Sequence, residues 1–253
     1  MSIWITGDCH ANFHRFSTEN FPEQHEMTKN DYIIICGDFG GVWHQEGKTK
    51  NENWWLDWLD NKPFTTLVVD GNHENFDRLN SLPIKEWNGG KVHEIRQSVL
   101  HLMRGEIFTI DDKKIFAFGG ASSHDISDGI LDYKDPNWKQ EAKILDAQGK
   151  YMYRIKGLSW WDQEMPTKEE MQNGEVNLNS HGNHVDFIVT HSPSASVVSL
   201  LGHGLYEQDI LTNYLEDIRC NNEYTRMFSG HFHINKQINT KDILLYEQII
   251  RIH

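Results

Sequence analysis

Short runs of apolar and β-branched residues alternate along the chain with polar, turn-forming segments. Such runs predict β-strands. The run Tyr32–Cys36 is apolar throughout, as in a strand that is covered on both faces. Two runs flank the polar residues 111–113, a pattern that predicts a hairpin. The predicted strands, in chain order, are Ile3–Thr6, Tyr32–Cys36, Thr65–Val69, 107–110, 114–118, Phe187–Thr190, Arg226–Ser229, 237–239, 243–246 and 249–252.

Helix patterns lie between several of these strands. Residues 53–59 place three tryptophans and a leucine on one side, and residues 210–218 form a second amphipathic segment. Thr167 follows a proline and precedes Glu170 by three positions, the spacing of a capping box at a helix start. Strands that alternate with helices predict an α/β protein.

Size and charge narrow the class of protein. The chain has 253 residues, 38% of them hydrophobic, which is enough to bury a full core. Because no linker or repeat divides it, residues 1–253 are predicted to form a single domain. The net charge of -13 argues against a protein that binds long nucleic acid, since such binding needs a basic face.

The sequence predicts a cytoplasmic protein without a membrane span. No apolar run approaches the roughly 20 residues that a membrane helix needs. The first residues lack the basic and apolar regions of a signal peptide. Three cysteines are too few, and odd in number, for a disulfide framework.

Aspartate, asparagine or histidine residues follow five of the predicted strands. In open α/β sheets, ligands bind beyond the carboxyl ends of the strands, so these side chains are expected to gather at one edge. The residues that follow the strands are Asp8 and His10, Asp38, Asn72 and His73, His191, and His231 and His233.

This pool of side chains predicts a metal centre. Imidazole with carboxylate suits Mn, Fe, Zn or Ni better than Ca or Mg. Asp8 and His10, like His231 and His233, are two positions apart and share a face of an extended backbone. There are more ligands than one tetrahedral metal needs. They suit two metals about 3.5–4 Å apart, as used for in-line displacement at phosphorus.

The motifs, taken in order, resemble those of the calcineurin-like metallophosphoesterase superfamily. They are Asp-x-His at 8–10, Gly-Asp at 37–38, Gly-Asn-His-Glu at 71–74, a lone His191, and Gly-His-x-His at 230–233. The resemblance therefore covers nearly the whole chain. It implies an α/β fold of two mixed β-sheets packed face to face with flanking helices, a four-layer sandwich.

The resemblance also implies residue roles and a reaction. Asp8, His10, Asp38 and His233 would hold one metal, and Asp38, Asn72, His191 and His231 the other. Asp38 would bridge two divalent transition metals, with Mn favoured and Fe, Zn or Ni as alternatives. A metal-bridging hydroxide is expected to attack the phosphorus of a phosphate ester in line. His73 would be the general acid, a role worth about 10²–10⁴-fold.

The pattern departs from the protein phosphatase branch of this superfamily. That branch has Asp and Arg where this chain has Gly41 and Val42, and it tends to have Arg where this chain has Asp70. Without that Asp, Glu74 or Asp77 is left to orient the catalytic histidine. The chain is more similar to a bacterial metallophosphatase-like group of undefined substrate.

Residues outside the metal motifs are candidates for substrate binding. We single out a loop histidine, a histidine after the second motif, two arginines that could clamp phosphate and a tryptophan pair that could stack on an aromatic group. These residues are His124, His44, Arg15, Arg104, Trp160 and Trp161. The segment 122–184 is predicted to be an insertion that caps the site and sets substrate choice.

Three functions remain open from the sequence. The first is hydrolysis of a small phosphorylated substrate, with monoester and diester both open. The second is a phosphodiesterase acting on cyclic nucleotides or nucleic-acid ends. The third is a metal-binding scaffold without turnover, although no predicted ligand is missing. The oligomeric state also stays open.

Overall fold

The computed structural model describes residues 1–44, 49–202 and 206–253. Its strands form two large sheets and one small sheet. The strands are β1 Ile3–Thr6, β2 Tyr32–Cys36, β3 Thr65–Val69, β4 Ile84–Trp87, β5 Gly90–Arg96, β6 Val99–Leu102, β7 Glu106–Ile110, β8 Lys113–Phe118, β9 Gly129–Asp132, β10 Tyr153–Lys156, β11 Phe187–Thr190, β12 Arg226–Ser229, β13 Lys236–Gln237, β14 Asp242–Leu244 and β15 Ile250–Arg251.

Helices connect or flank these strands. The α-helices are α1 Lys50–Asp60, α2 Phe76–Leu79, α3 Trp138–Ala147, α4 Lys168–Ser180, α5 Ala195–Gly202 and α6 Ile210–Asn221. Short 3-10 helices span His14–Phe16, Pro22–Glu26 and Asp162–Glu164. Thr167 and Glu170 form the predicted capping box at the start of α4.

The first sheet has seven strands in the order β15-β1-β2-β3-β6-β5-β4. Its four central strands β1, β2, β3 and β6 are parallel. The strand β15 at one edge and the strands β5 and β4 at the other pair antiparallel. The second sheet has six strands in the order β13-β14-β12-β11-β8-β7, again with a parallel centre and antiparallel edges. Both sheets are therefore mixed.

Because successive side chains of a strand point to opposite faces of its sheet, each sheet contributes to a core on each side. In β2, Ile34 packs into a core shared by both sheets, whereas Ile33 and Ile35 pack into a core with α1. Phe116 and Ile188 of the second sheet face a third core with α4 and α6. The layers are helix, sheet, sheet and helix. The predicted fold class is confirmed.

Two parts of the chain differ from the sequence prediction. The strands β4, β5 and β6 were not predicted. In β4 and β5, charged residues interrupt the apolar pattern, whereas β6 is buried throughout but has only four residues, one of them His101. The segment 122–184 was predicted without clear strands, yet β9 and β10 pair in parallel within it. Its last helix, α4, packs on β7 through the third core and so belongs to the outer helical layer.

None of the helices in the described ranges is long and apolar enough to cross a membrane.

Candidate metal centre and active site

The carboxyl ends of five parallel strands deliver the predicted ligands to one edge of the sandwich. The neighbouring strands β1, β2 and β3 end at Thr6, Cys36 and Val69 in the first sheet. The neighbouring strands β11 and β12 end at Thr190 and Ser229 in the second. Because the sheets pack face to face, side chains that are far apart in sequence meet across them.

Four of these side chains form a compact cluster. One ligand atom from each of Asp8, His10, Asp38 and His233 lies within 4.8 Å of the other three. The Nε2 atoms of His10 and His233 are 2.9 Å apart, and His233 Nε2 is 3.0 Å from Asp8 Oδ2. This is the ligand set that the resemblance assigns to the first metal.

The remaining ligands lie on the other side of Asp38. His191 Nε2 is 3.4 Å from Asp38 Oδ1 and 3.2 Å from Asn72 Oδ1. His191 Nδ1 donates to the carbonyl of Cys36 at 2.7 Å, which leaves Nε2 to face the site. The ring of His231 is 5.0 Å from that of His191. Asp38 thus lies between the two predicted sets.

The charge of the cluster favours a bound cation. Asp8 and Asp38 are fully buried. Burial disfavours a charged imidazole at His191, but Asp38 and Asp8 outweigh it and raise the pKa of His191 to about 10. Burial lowers the pKa of His10 and of His231, so these imidazoles are neutral at neutral pH, the state that metal ligation requires. The nitrogen and oxygen donors fit divalent transition metals.

The backbone adopts unusual conformations to aim these ligands. His10, Asp38, His231 and His233 all have positive φ angles between 45° and 68°. Non-glycine residues rarely occupy this left-handed region, and such strain is typical of functional sites. Gly37 also has a positive φ of 88°, and a Cβ there would lie 2.2 Å from the His191 ring.

A buried hydrogen-bond chain positions Asn72, and sequence reasoning missed it. Asn72 Nδ2 donates to Ser123 Oγ at 3.2 Å, and Ser123 Oγ donates to Glu164 Oε2 at 2.6 Å. Ser123 N donates to the other Glu164 oxygen at 2.9 Å. The amide of Asn72 is therefore held with Oδ1 toward His191. Both supporting residues come from the segment 122–184.

His73 lines a cavity of about 280 Å³ beside the cluster. Its backbone N–H donates to Asp38 Oδ1 at 2.8 Å, and its ring is 5.5 Å from that of His10. Burial lowers the pKa of His73, and Arg154 adds to this while Asp38 opposes it. The lining residues are His10, Ala11, Gly40, Trp43, His44, His73 and Arg154.

Glu74 and Asp77 have other partners than the His73 imidazole. Glu74 accepts hydrogen bonds from the backbone N–H groups of Phe39 and Gly40, at 2.7 and 3.4 Å. It thus holds the loop that follows Asp38. Asp77 Oδ2 accepts from the Trp161 indole at 2.9 Å. The predicted orienting role is therefore wrong for both carboxylates in this structure.

Two predicted histidines lie at the site. His124 Nε2 is 2.8 Å from the Nε2 of the predicted ligand His231. His44 lines the cavity, and its backbone N–H donates to Glu52 at 3.2 Å. The structure thus places both where a substrate could reach them, and their role in binding stays a prediction.

The two predicted arginine clamps are wrong. Arg15 donates to the carbonyl oxygens of Asp8 and Tyr246, at 2.6 and 2.5 Å, so it braces the backbone after β1. Arg104 is buried and donates twice to Asp70 Oδ2, at 2.5 and 2.9 Å. A guanidinium occupied by the protein's own oxygens is not available as a phosphate clamp.

The predicted tryptophan pair does not line the cavity. Trp161 is 3% exposed and packs edge-on against Trp43, so a stacking role for Trp161 is wrong. Trp160 is half-buried, with Lys156 over its ring. The aromatic wall of the cavity is Trp43 instead. Trp43 packs against Trp161, a contact between residues far apart in sequence that no local pattern indicates.

The fold and the site together define a metal-dependent phosphoesterase. The family model of calcineurin-like phosphoesterases matches residues 1–235, and the chain belongs to this family. The recognised resemblance is thereby confirmed. The family implies divalent metal ions, for which the cluster of aspartates and histidines provides a suitable site.

Individual relatives match different shares of the chain. Lariat debranching enzyme A of Xenopus laevis is 31% identical over 106 residues, which cover 37% of this chain and 20% of that protein. The match thus spans a fifth of the length of this curated relative. A solved structure of a putative 5'-nucleotidase from Staphylococcus aureus aligns over 99% of this chain and 50% of its own, with 12% identity and a TM-score of 0.44.

Proposed function

We propose that this protein hydrolyses a small phosphate ester at the cleft beside the cluster. The observation that carries the proposal is the convergence of Asp8, His10, Asp38 and His233 within 4.8 Å, next to the cavity lined by His73. These four residues would hold one divalent metal. The second would be held by Asp38, Asn72, His191 and His231. Bound there, the metals would activate water and neutralise phosphoryl charge.

His73 is the general acid in this proposal. It lines the cavity yet is kept out of the ligand cluster, and its backbone bond to Asp38 sets its position. Burial lowers the pKa of His73, so a proton would be bound weakly in the free enzyme. A phosphate dianion beside the ring favours the protonated imidazole, which can then donate to the leaving oxygen.

Further parts of the proposal rest on chemistry and charge. Mn²⁺ is the favoured metal, with Fe, Zn or Ni as alternatives, because imidazole and carboxylate suit these ions. The net charge of -13 supports a small phosphorylated substrate rather than a long nucleic acid or a membrane. The free cysteines among the described residues support a cytoplasmic location.

The test is a comparison of esters with a histidine variant. The Mn²⁺-loaded protein is assayed with p-nitrophenyl phosphate and bis-p-nitrophenyl phosphate. We expect His73→Ala to lose about 10²–10⁴-fold in kcat while retaining its metal, measured by elemental analysis. The exposed His25→Ala is the matched control. Full activity in His73→Ala would refute the general acid, and a wild type inactive on both esters would favour the scaffold.

A further inference from the structure

Arginines near the site differ in how far the protein occupies their hydrogen-bond donors. Arg15 is bound to backbone carbonyls and Arg104 to Asp70. Arg78 donates to both oxygens of Glu52 and to a backbone carbonyl. These guanidinium groups serve the fold. They leave open which residue of this acidic chain meets the negative charge of a phosphate.

Arg154 differs because it faces the cavity with unused donors. It lies on β10 of the segment 122–184 and lines the cavity together with His10 and His73. Within the described ranges, Asp125 is the sole acceptor for its guanidinium. The Arg154 side chain is 24% exposed, so its remaining N–H groups can reach a ligand.

Asp125 holds this arginine in place. It forms an ion pair with the Nη2 of Arg154 across 29 residues of sequence. The other carboxylate oxygen of Asp125 is buried and, among the residues described, makes no hydrogen bond. Asp125 follows His124 directly, and His124 contacts His231, a predicted ligand of the second metal. The pair is therefore anchored beside the reacting region before any substrate arrives.

We propose that Arg154 binds the terminal oxygens of the substrate phosphate and thereby selects phosphate monoesters. The inference rests on the proposed function and names its substrate class. A monoester has three terminal oxygens and up to two negative charges, whereas a diester has two such oxygens and one charge. A planar guanidinium with free N–H groups can form bidentate hydrogen bonds to either ester. It gains more from the monoester, because charge-assisted hydrogen bonds strengthen with the second negative charge and a third terminal oxygen is available as an acceptor.

Kinetics with both esters test the selection. For Arg154→Ala we expect kcat/KM to fall about 10- to 100-fold with p-nitrophenyl phosphate and less than threefold with the diester. Arg154→Lys keeps the charge without the planar fork and should recover part of the loss. Lys156→Ala is the matched control, since Lys156 lies on the same strand, pairs with Asp162 and does not line the cavity. Equal losses on both esters, or none, would overturn the proposal.

Binding of inorganic phosphate separates this inference from the proposed function. Calorimetric titration of the metal-loaded protein needs no turnover. We expect Arg154→Ala to bind phosphate about 10-fold or more weakly, with Lys156→Ala unchanged. If the wild type hydrolyses neither ester but shows this difference, the hydrolytic function fails while Arg154 stands as the phosphate ligand. Equal phosphate affinity in wild type and Arg154→Ala overturns the inference whatever the activity.

Discussion

Replacing Gly71 with alanine places a methyl group where the Asp38 carboxylate now lies. A Cβ at Gly71 would be 2.0 Å from Asp38 Oδ1, 2.4 Å from its backbone N and 2.8 Å from its Cγ. The neighbour is partly backbone, so it cannot rotate away as the end of a long side chain could. Asp38 also accepts from the His73 N–H at 2.8 Å and lies between the two ligand sets.

The size of the effect follows from these distances. Cβ contacts below 3.0 Å essentially never occur, so Asp38 Oδ1 must move by about 1 Å. A misplacement of about 1 Å at a reacting centre costs on the order of 100-fold in rate. Overpacking typically costs about 1–3 kcal/mol of unfolding free energy. At about 2–4 °C per kcal/mol, Tm should fall by roughly 2–12 °C.

Three measurements check this prediction. They are kcat with p-nitrophenyl phosphate, Mn²⁺ content per chain and Tm of the metal-loaded protein. Gly182→Ala is the control, because its φ of +69° strains an alanine although no atom lies within 4 Å of the new Cβ. It should cost about 1 kcal/mol and leave activity intact. If Gly71→Ala keeps wild-type metal content and activity, the close approach does not position Asp38.

Two further predictions concern the supporting residues. Ser123→Ala breaks the chain from Asn72 to Glu164 and should weaken Mn²⁺ binding about 10- to 100-fold in a chelator competition, with the exposed Ser180→Ala unchanged; equal affinities would contradict it. Burial, reinforced by His101, lowers the pKa of His93 to about 4, so the unfolded state binds more protons between about pH 6.5 and 4. The free energy of unfolding of the wild type should therefore decrease by up to about 3 kcal/mol as the pH falls through that window. In urea titrations, His93→Gln should show a smaller decrease. Parallel curves of unfolding free energy against pH for the two proteins would refute this.

Much of the fold could be predicted because local burial leaves a local signal. Strand β2 is buried at every position, so its sequence is an unbroken apolar run, and its predicted bounds agree with the structure. The strand β4 is half-exposed and carries charged residues, so its run was not recognised. The strands β9 and β10 were missed for the same reason, because every residue in them is at least partly exposed.

The candidate metal ligands could be recognised in the sequence for a different reason. Each lies within four residues of the end of a strand, so neighbours in sequence define its place at the sheet edge, and the order of motifs identified the family. The supporting residues carry no such mark. Ser123 and Glu164 reach Asn72 across 51 residues or more, and nothing in their local sequence distinguishes them from other polar loop residues.

The arginines show most clearly which features of the site depend on tertiary packing. By sequence alone, Arg15 and Arg104 were as reasonable as any phosphate clamp. The fold turns Arg104 onto the buried Asp70 and Arg15 onto backbone carbonyls, and it brings Arg154 to the cavity of His73. Most strands at the centres of the two sheets, the candidate ligands and the class of enzyme could be predicted from sequence, because these depend on burial and on position along one strand. Whether the N–H groups of an arginine are free for a ligand depends on which acceptor oxygens lie near it. Those oxygens belong to residues far apart in sequence, and only tertiary packing brings them together.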